Sequence, residues 1–353
     1  MTPLARLLAA RIAADGPMPL DAYMALCLGH PEHGYYPTRD PFGAAGDFVT
    51  APEISQMFGE LVGAWAAQVW ADSGRPDPFL LVELGPGRGT LMHDALRAAR
   101  ALPGFLDAAR LHLVETSSEL RSAQAKALAD HQPVWSASVE ALPAGPALVI
   151  ANEFFDALPI RQFQRTEHLW RERLVGLDGE HLATVWGPPR GDPGLDRRYP
   201  EAPDGTIAEV SPTGEAIAAT LGARIACHGL AALVIDYGAA IGTGDTLQAL
   251  RRHAPIDPLQ APGESDLTAH VQFAPLVAAA RPARAHGPVP QGAFLERLGI
   301  TSRAQALARA GGAAADAVAA AHRRLTHPAE MGNLMRVLAL TPDGFATPPG
   351  FEP

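Results

Sequence analysis

The stretch LLVELGPGRGTLMHDAL, Leu80 to Leu96, sets an apolar run against three alternate glycines, Gly85, Gly87 and Gly89, with Pro86 between the first two. A packed sheet needs no such turn. Backbone without side chains lets a ligand approach closely, and a helix that follows supplies N–H groups at its N-terminus. A dinucleotide site would want G-x-G-x-x-G, yet Thr90 stands where its third glycine belongs. No lysine follows the turn, so a phosphate-cradling P-loop is excluded. Glu83, just before the turn, is unexpected for a phosphate site; it would orient the turn or bind a cationic amino group. A plain structural glycine turn is the competing reading.

Outward from this stretch the chain alternates strand and helix. FLLVEL precedes the turn, then come LHLVE, a second helix near 117–130, a short strand around Val134 and Trp135, and ALVIAN. Continuous apolar strands between helices imply a parallel sheet covered on both faces, an α/β doubly wound architecture. GLAALVIDYG resumes the pattern later, and NLMRVLAL is expected as a closing edge strand. Between about 162 and 186 polar and apolar residues alternate around Leu177-Asp178-Gly179-Glu180, the sign of an antiparallel hairpin. The expected division is residues 1–75 as a helical region with a long Gly/Pro loop, 76–240 as the core with a β-rich insertion at about 162–204, and 241–353 as a second lobe. Thr50-Ala51-Pro52-Glu53 reads as a capping box opening a helix whose apolar face runs from Ile54 to Val69.

Composition narrows the function. The 353 residues are 47% hydrophobic and 19% charged, with a net charge of −10, which disfavours a protein that coats nucleic acid. No long uncharged apolar run suggests membrane insertion. Cys27 and Cys227 are far apart and without metal-ligand spacing, so a reduced, cytoplasmic location and no metal are expected.

E-x-G-x-G-x-G suits S-adenosylmethionine, whose aminoacyl end is zwitterionic and carries no phosphate. Glu115, ending LHLVE, is placed to accept ribose hydroxyls, or else to cap the next helix. ASVEALP, with Ser138 and Val139, resembles the stretch that methyltransferases use to hold adenine, with Ser138 where an acid is common. Asn152, Glu153 and Asp156, in ANEFFDALP, stand at the mouth of the sheet between methyl donor and nucleophile, with helix capping as the structural alternative. His270 in DLTAHVQF is a rival proton acceptor, and Tyr237 in VIDYG either faces the cleft or packs in the core.

GDFVTAPEISQMFGELVGAW (46–65), LVELGPGRGTL (81–91) and ANEFFDALPIRQF (151–163) together resemble the MidA-like family of S-adenosylmethionine-dependent methyltransferases. WRERLVGLD, DTLQALRRH, DPLQAPGESDLTAHVQF and QGAFLERLGI carry the same resemblance, with Ala51 and Gln272 replacing the serine and aspartate expected there. The resemblance implies a class I methyltransferase fold with a helical N-terminal part and an inserted α+β lobe. It implies that Gly85, Gly87, Gly89 and Thr90 line the cofactor, that Glu115 holds its ribose, and that Gly46 and Asp47 close over its methionine end. The mitochondrial members are complex I assembly methyltransferases that make symmetric ω-dimethylarginine, so a protein substrate presenting an arginine, such as a complex I subunit, is implied. A methyltransferase for a small molecule or another residue, and a cofactor-binding assembly factor with little turnover, are the alternatives. Glu153 and Asp156 are the residues expected to clamp the guanidinium, with Asn152 ordering the cofactor side.

Overall fold

Phe79–Leu84, apolar but for Glu83, makes β1, and all six residues are buried because both faces of the strand are covered. The computed structural model describes residues 1–38, 50–309 and 311–352. Around β1 the sheet collects β2 (Ala109–Val114), β3 (Val134–Ser136), β4 (Ala147–Asn152), β5 (Leu230–Ala239), β6 (Arg284–Pro290) and β7 (Met335–Thr341). Their spatial order is β6-β7-β5-β4-β1-β2-β3. The neighbours from β5 through β3 are parallel, while β7 runs antiparallel to both β5 and β6.

NLMRVLAL is therefore an interior strand and not the edge strand expected from sequence. All but one of the seven β7 residues are buried. Apolar side chains on both faces make a poor solvent-facing edge and a good inner strand.

By internal contacts the chain divides into two units. One comprises 1–48, 156–216 and 240–272, and the other 49–155, 217–239 and 273–353. The linear divisions expected from sequence are crossed at both ends. The helix α1 (Gln56–Asp72) joins the core unit, and so does everything from Phe273 onward. The physical reason is burial. Trp65, Val69, Leu295, Val337 and Ala339 belong to one apolar cluster with Leu81, Leu113 and Ile150 of the sheet.

Within the core unit, α1 packs closely on α2 (Thr90–Ala99), because a Cβ on Gly63 would lie 2.2 Å from the Ala95 carbonyl oxygen. Glu60 of α1 is 7% exposed and accepts from Arg97 at 2.6 Å and from Arg303 at 2.7 Å. Paired this way, its carboxyl stays below the ordinary range in spite of burial.

The other unit carries the antiparallel part. Leu169–Asp178 pairs with His181–Trp186 with Asp178 opposite His181, so Gly179 and Glu180 make the expected two-residue turn. The same strand pairs with Arg161–Thr166 and Met18–Pro19, and Ile207–Val210 completes the sheet. Within the insertion expected to be β-rich lies a short helix, Pro193–Arg198, capped by Asp192. No helix among the described residues is long and apolar enough to cross a membrane.

Candidate active site

The glycine turn follows β1 with Gly85 at φ +61°, Gly87 at +53° and Gly89 at +87°. These are left-handed conformations in which a Cβ is strained, so the three glycines are a backbone requirement. Gly85 has a second reason. A Cβ there would lie 2.9 Å from Cδ2 of Phe154. The Gly85 N–H donates to the Val114 carbonyl at 3.0 Å, the Gly89 N–H closes the turn on Pro86 at 2.8 Å, and α2 begins at Thr90. The Thr90 hydroxyl donates to Glu53 Oε1 at 2.6 Å. Glu53 is thus not the reciprocal partner of Thr50 that a capping box requires. Thr50 is the N-cap of a four-residue helix through its backbone alone, and Ser55 caps α1 separately.

Glu115 lies just beyond β2, 9% exposed. Its Oε1 accepts the N–H groups of Thr116 and Ser117, both at 2.8 Å, and so fixes the turn that leads into α3 (Ser118–Ala127), while the helix itself is capped by the Ser117 hydroxyl. Among the described residues its Oε2 accepts only from Gln124 Nε2, at 3.3 Å, and a carboxylate oxygen has room for a further donor. Burial pushes the Glu115 carboxyl up, against the pull of those N–H donors. The two N–H groups thus draw on one oxygen of the carboxylate, and the other could take a ribose hydroxyl. Beyond β3, Val139 is buried and Ser138 is half-buried with its side chain bonded to Glu140, whose carboxyl it lowers.

The turn after β4 is built from charge. Asn152, the last residue of β4, is 8% exposed, and its Nδ2 donates to Glu153 Oε1 at 3.2 Å. Glu153 has φ +49°, uncommon for a residue with a Cβ. Its Oε1 also accepts the Ala51 N–H at 2.9 Å. Burial pushes the Glu153 carboxyl up to about 7, partly offset by Ala51 and Asn152. The backbone is held from below by Asp236, which is fully buried. Its Oδ2 accepts from Phe154 at 3.1 Å and Phe155 at 2.8 Å, and its Oδ1 from the Tyr237 N–H at 2.8 Å. Sequence reasoning singled out Tyr237 in VIDYG and passed over Asp236. A charged residue inside a continuous apolar strand was the available signal. Tyr237 itself is half-buried and packs against the core cluster.

Two buried acceptors in this region have no hydrogen-bond partner among the described residues, Glu83 Oε2 and Asn152 Oδ1. Glu83 lies opposite Ile150 in the β1–β4 register, so Asn152, two residues on, shares its face of the sheet. Burial pushes the Glu83 carboxyl up to about 8. Orphaned acceptors suit a donor-only group such as an ammonium and repel a phosphate, which offers only acceptors. The aminoacyl end of S-adenosylmethionine supplies that ammonium beside a glycine turn. The residues present fit it.

Two other expected residues, Asp156 and His270, belong to the other unit. Asp156 is buried and accepts the Ala269 N–H on its carbonyl at 2.9 Å. In that unit His270 is exposed, and its backbone N–H donates to Thr246. Gly46 and Asp47 lie outside the described residues. No group of three or more His, Cys, Asp or Glu side chains that would hold a metal occurs among the described residues.

Comparison with known proteins agrees with the geometry. Residues 61–289 match a family described as "Putative S-adenosyl-L-methionine-dependent methyltransferase". The chain is 40% identical over 326 residues to protein arginine methyltransferase NDUFAF7, mitochondrial, of Danio rerio, covering 85% of this chain and 77% of that protein. It is 38% identical over 335 residues to the Homo sapiens protein of the same name, covering 87% and 76%. Among solved structures, a COG1565 superfamily member from Burkholderia thailandensis bound to S-adenosyl-homocysteine is 30% identical, with a TM-score of 0.86 over 98% of this chain and 93% of that one. The fold, the cofactor and the enzyme class follow together: this chain belongs to that family of S-adenosyl-L-methionine-dependent methyltransferases.

Proposed function

We propose that the protein methylates an arginine side chain of a substrate protein, with Glu153 as the group that fixes the guanidinium. The carrying observation is a half-buried carboxylate held at the carboxyl end of β4 in a left-handed backbone, with two donors on one oxygen. The relatives named protein arginine methyltransferases support the choice of arginine. The expected product is symmetric ω-dimethylarginine, and the expected target is a respiratory complex I subunit or a similar protein. The animal relatives are named as mitochondrial, so the cytoplasmic location expected from cysteine usage stands as a proposal for this chain alone.

In this reading Gly85, Pro86, Gly87, Gly89 and Thr90 form the floor under the aminoacyl end of the cofactor. Glu83 and Asn152 receive its ammonium, Glu115 its ribose hydroxyls, and Ser138 and Val139 its adenine, while Gly46 and Asp47 close the site. The cofactor supplies an electrophilic methyl on a sulfonium. Everything else is orientation and charge placement by the protein. A guanidinium stays protonated at neutral pH, so a carboxylate must hold it in fixed geometry and take up the proton released as the nitrogen is alkylated. A group titrating at about 7 is suited to both tasks, which is the value burial gives Glu153. Asp156, three residues on, is the proposed second carboxylate.

The test pairs a variant with a product assay. Glu153→Gln should bind S-adenosylhomocysteine as the native protein does, yet transfer methyl at least about tenfold more slowly. Native transfer should rise through pH 7 as Glu153 ionises, and the variant should lose that rise. Labelled cofactor incubated with lysate from a deletion strain should mark an arginine peptide. Label on lysine or on a small metabolite would overturn the arginine assignment, and unchanged turnover would remove Glu153 from the clamp.

A further inference from the structure

We propose that Gln124 is a positioning residue that ties the glycine turn to Glu115, so that the aminoacyl and ribose ends of the cofactor are gripped at one fixed spacing. Gln124 lies on α3 with no exposed surface. It occupies the middle of an i, i+4, i+8 stripe with buried Leu120 and Leu128, where an apolar side chain would pack at lower desolvation cost.

Its amide nitrogen and its amide oxygen are both engaged. Nε2 donates to the Gly87 carbonyl at 2.7 Å and to Glu115 Oε2 at 3.3 Å, and Oε1 accepts from Trp135 Nε1 at 2.7 Å. The indole nitrogen is a donor only, so Oε1 must face Trp135 and the NH2 group must face the turn and the carboxylate. One amide therefore bridges the middle glycine of the turn after β1 and the acid after β2.

Each end of the bridge has a mechanical consequence. Gly87 is at φ +53°, and a peptide that begins at a glycine reorients more easily than others unless its carbonyl is held. At the other end, Oε1 of Glu115 is occupied by Thr116 and Ser117, and among the described residues Gln124 is the one donor to Oε2. That is the oxygen assigned above to the ribose. The inference rests on that assignment, and the experiment separates the two.

Calorimetric titration of S-adenosylhomocysteine into the full chain compares the native protein with Gln124→Met, Gln124→Glu, Trp135→Phe, Glu115→Gln and the Gln124→Met/Glu115→Gln pair, with thermal unfolding as the folding control. Gln124→Met should weaken binding about tenfold, the scale of a lost hydrogen bond to a charged group. In the double variant the two losses should fall well short of multiplying, because they act through one contact. Trp135→Phe, which frees the amide without touching turn or carboxylate, should show a smaller loss.

Gln124→Glu supplies a readout that simple packing would not move. Protonated, the new carboxyl still donates to Glu115; ionised, it repels it. Its affinity deficit relative to the native protein should therefore grow as pH rises from 6 to 8.5. A deficit independent of pH and multiplicative with Glu115→Gln would overturn the positioning role, as would native-like binding by Gln124→Met. Native-like binding by Glu115→Gln would remove the ribose assignment and, with it, the coupling.

Discussion

The turn after β1 and the turn after β4 both place backbone in the left-handed region at the carboxyl end of the same sheet, by opposite means. The first uses Gly85, Gly87 and Gly89, for which that region is free of steric cost. The second forces Glu153 into it, at roughly 1–2 kcal/mol for a residue with a Cβ. Asp236 offsets that cost by gathering the Phe154, Phe155 and Tyr237 amides onto one buried carboxylate. Where only the backbone matters, the chain uses glycine. Where a side chain must stand at a strained position, a second, unseen side chain holds it there.

Breaking the first turn should have the largest effect. Gly85→Val adds a branched side chain at φ +61°, against a ring 2.9 Å from the new Cβ. Strain and overpacking together amount to about 4 kcal/mol, so S-adenosylhomocysteine affinity should fall about a thousandfold by calorimetry. Breaking the second turn comes next. Asp236→Ala leaves Phe154, Phe155 and Tyr237 N–H groups without their acceptor and should cost about 3 kcal/mol in denaturant unfolding. Asp236→Asn keeps one acceptor oxygen and should lose less. If Asp236→Ala were as stable as the native protein, the account of how Glu153 is held would fail.

The smallest effect sharpens the contrast at Glu83, whose folded-state carboxyl is raised to about 8. A raised acid contributes its stability below the unfolded value, near 4.5, and loses it as pH climbs toward 8. Between pH 5.5 and 7 the native protein without cofactor should therefore lose about 2 kcal/mol that Glu83→Gln keeps. Parallel stability curves for the two proteins over that window would show that Glu83 is not desolvated as described.

Much of this was legible in the primary structure, for reasons that differ by element. FLLVEL and ALVIAN announce buried parallel strands because both faces are apolar, and alternate glycines announce a ligand turn because little else requires them. Asn152 and Glu153 could be placed at a strand end, but not the left-handed backbone of Glu153, since nothing local asks for it. Gln124 was hidden in SELRSAQAKA, which reads as a solvated helix unless Leu120 and Leu128 are recognised as flanking it on one stripe. Glu53 was misassigned because its partner, Thr90, is thirty-seven positions away and local capping rules look only three residues ahead. The interior place of β7 was missed because edge and centre differ in what neighbours them, and neighbours are a property of topology.

That place has a consequence for biosynthesis. Met335–Thr341 fills the gap between β5 and β6, so the sheet stays split until a strand preceded by more than three hundred residues leaves the ribosome. A nascent chain stalled before Met335 therefore leaves two strand flanks unpaired, the kind of surface that chaperones are there to cover.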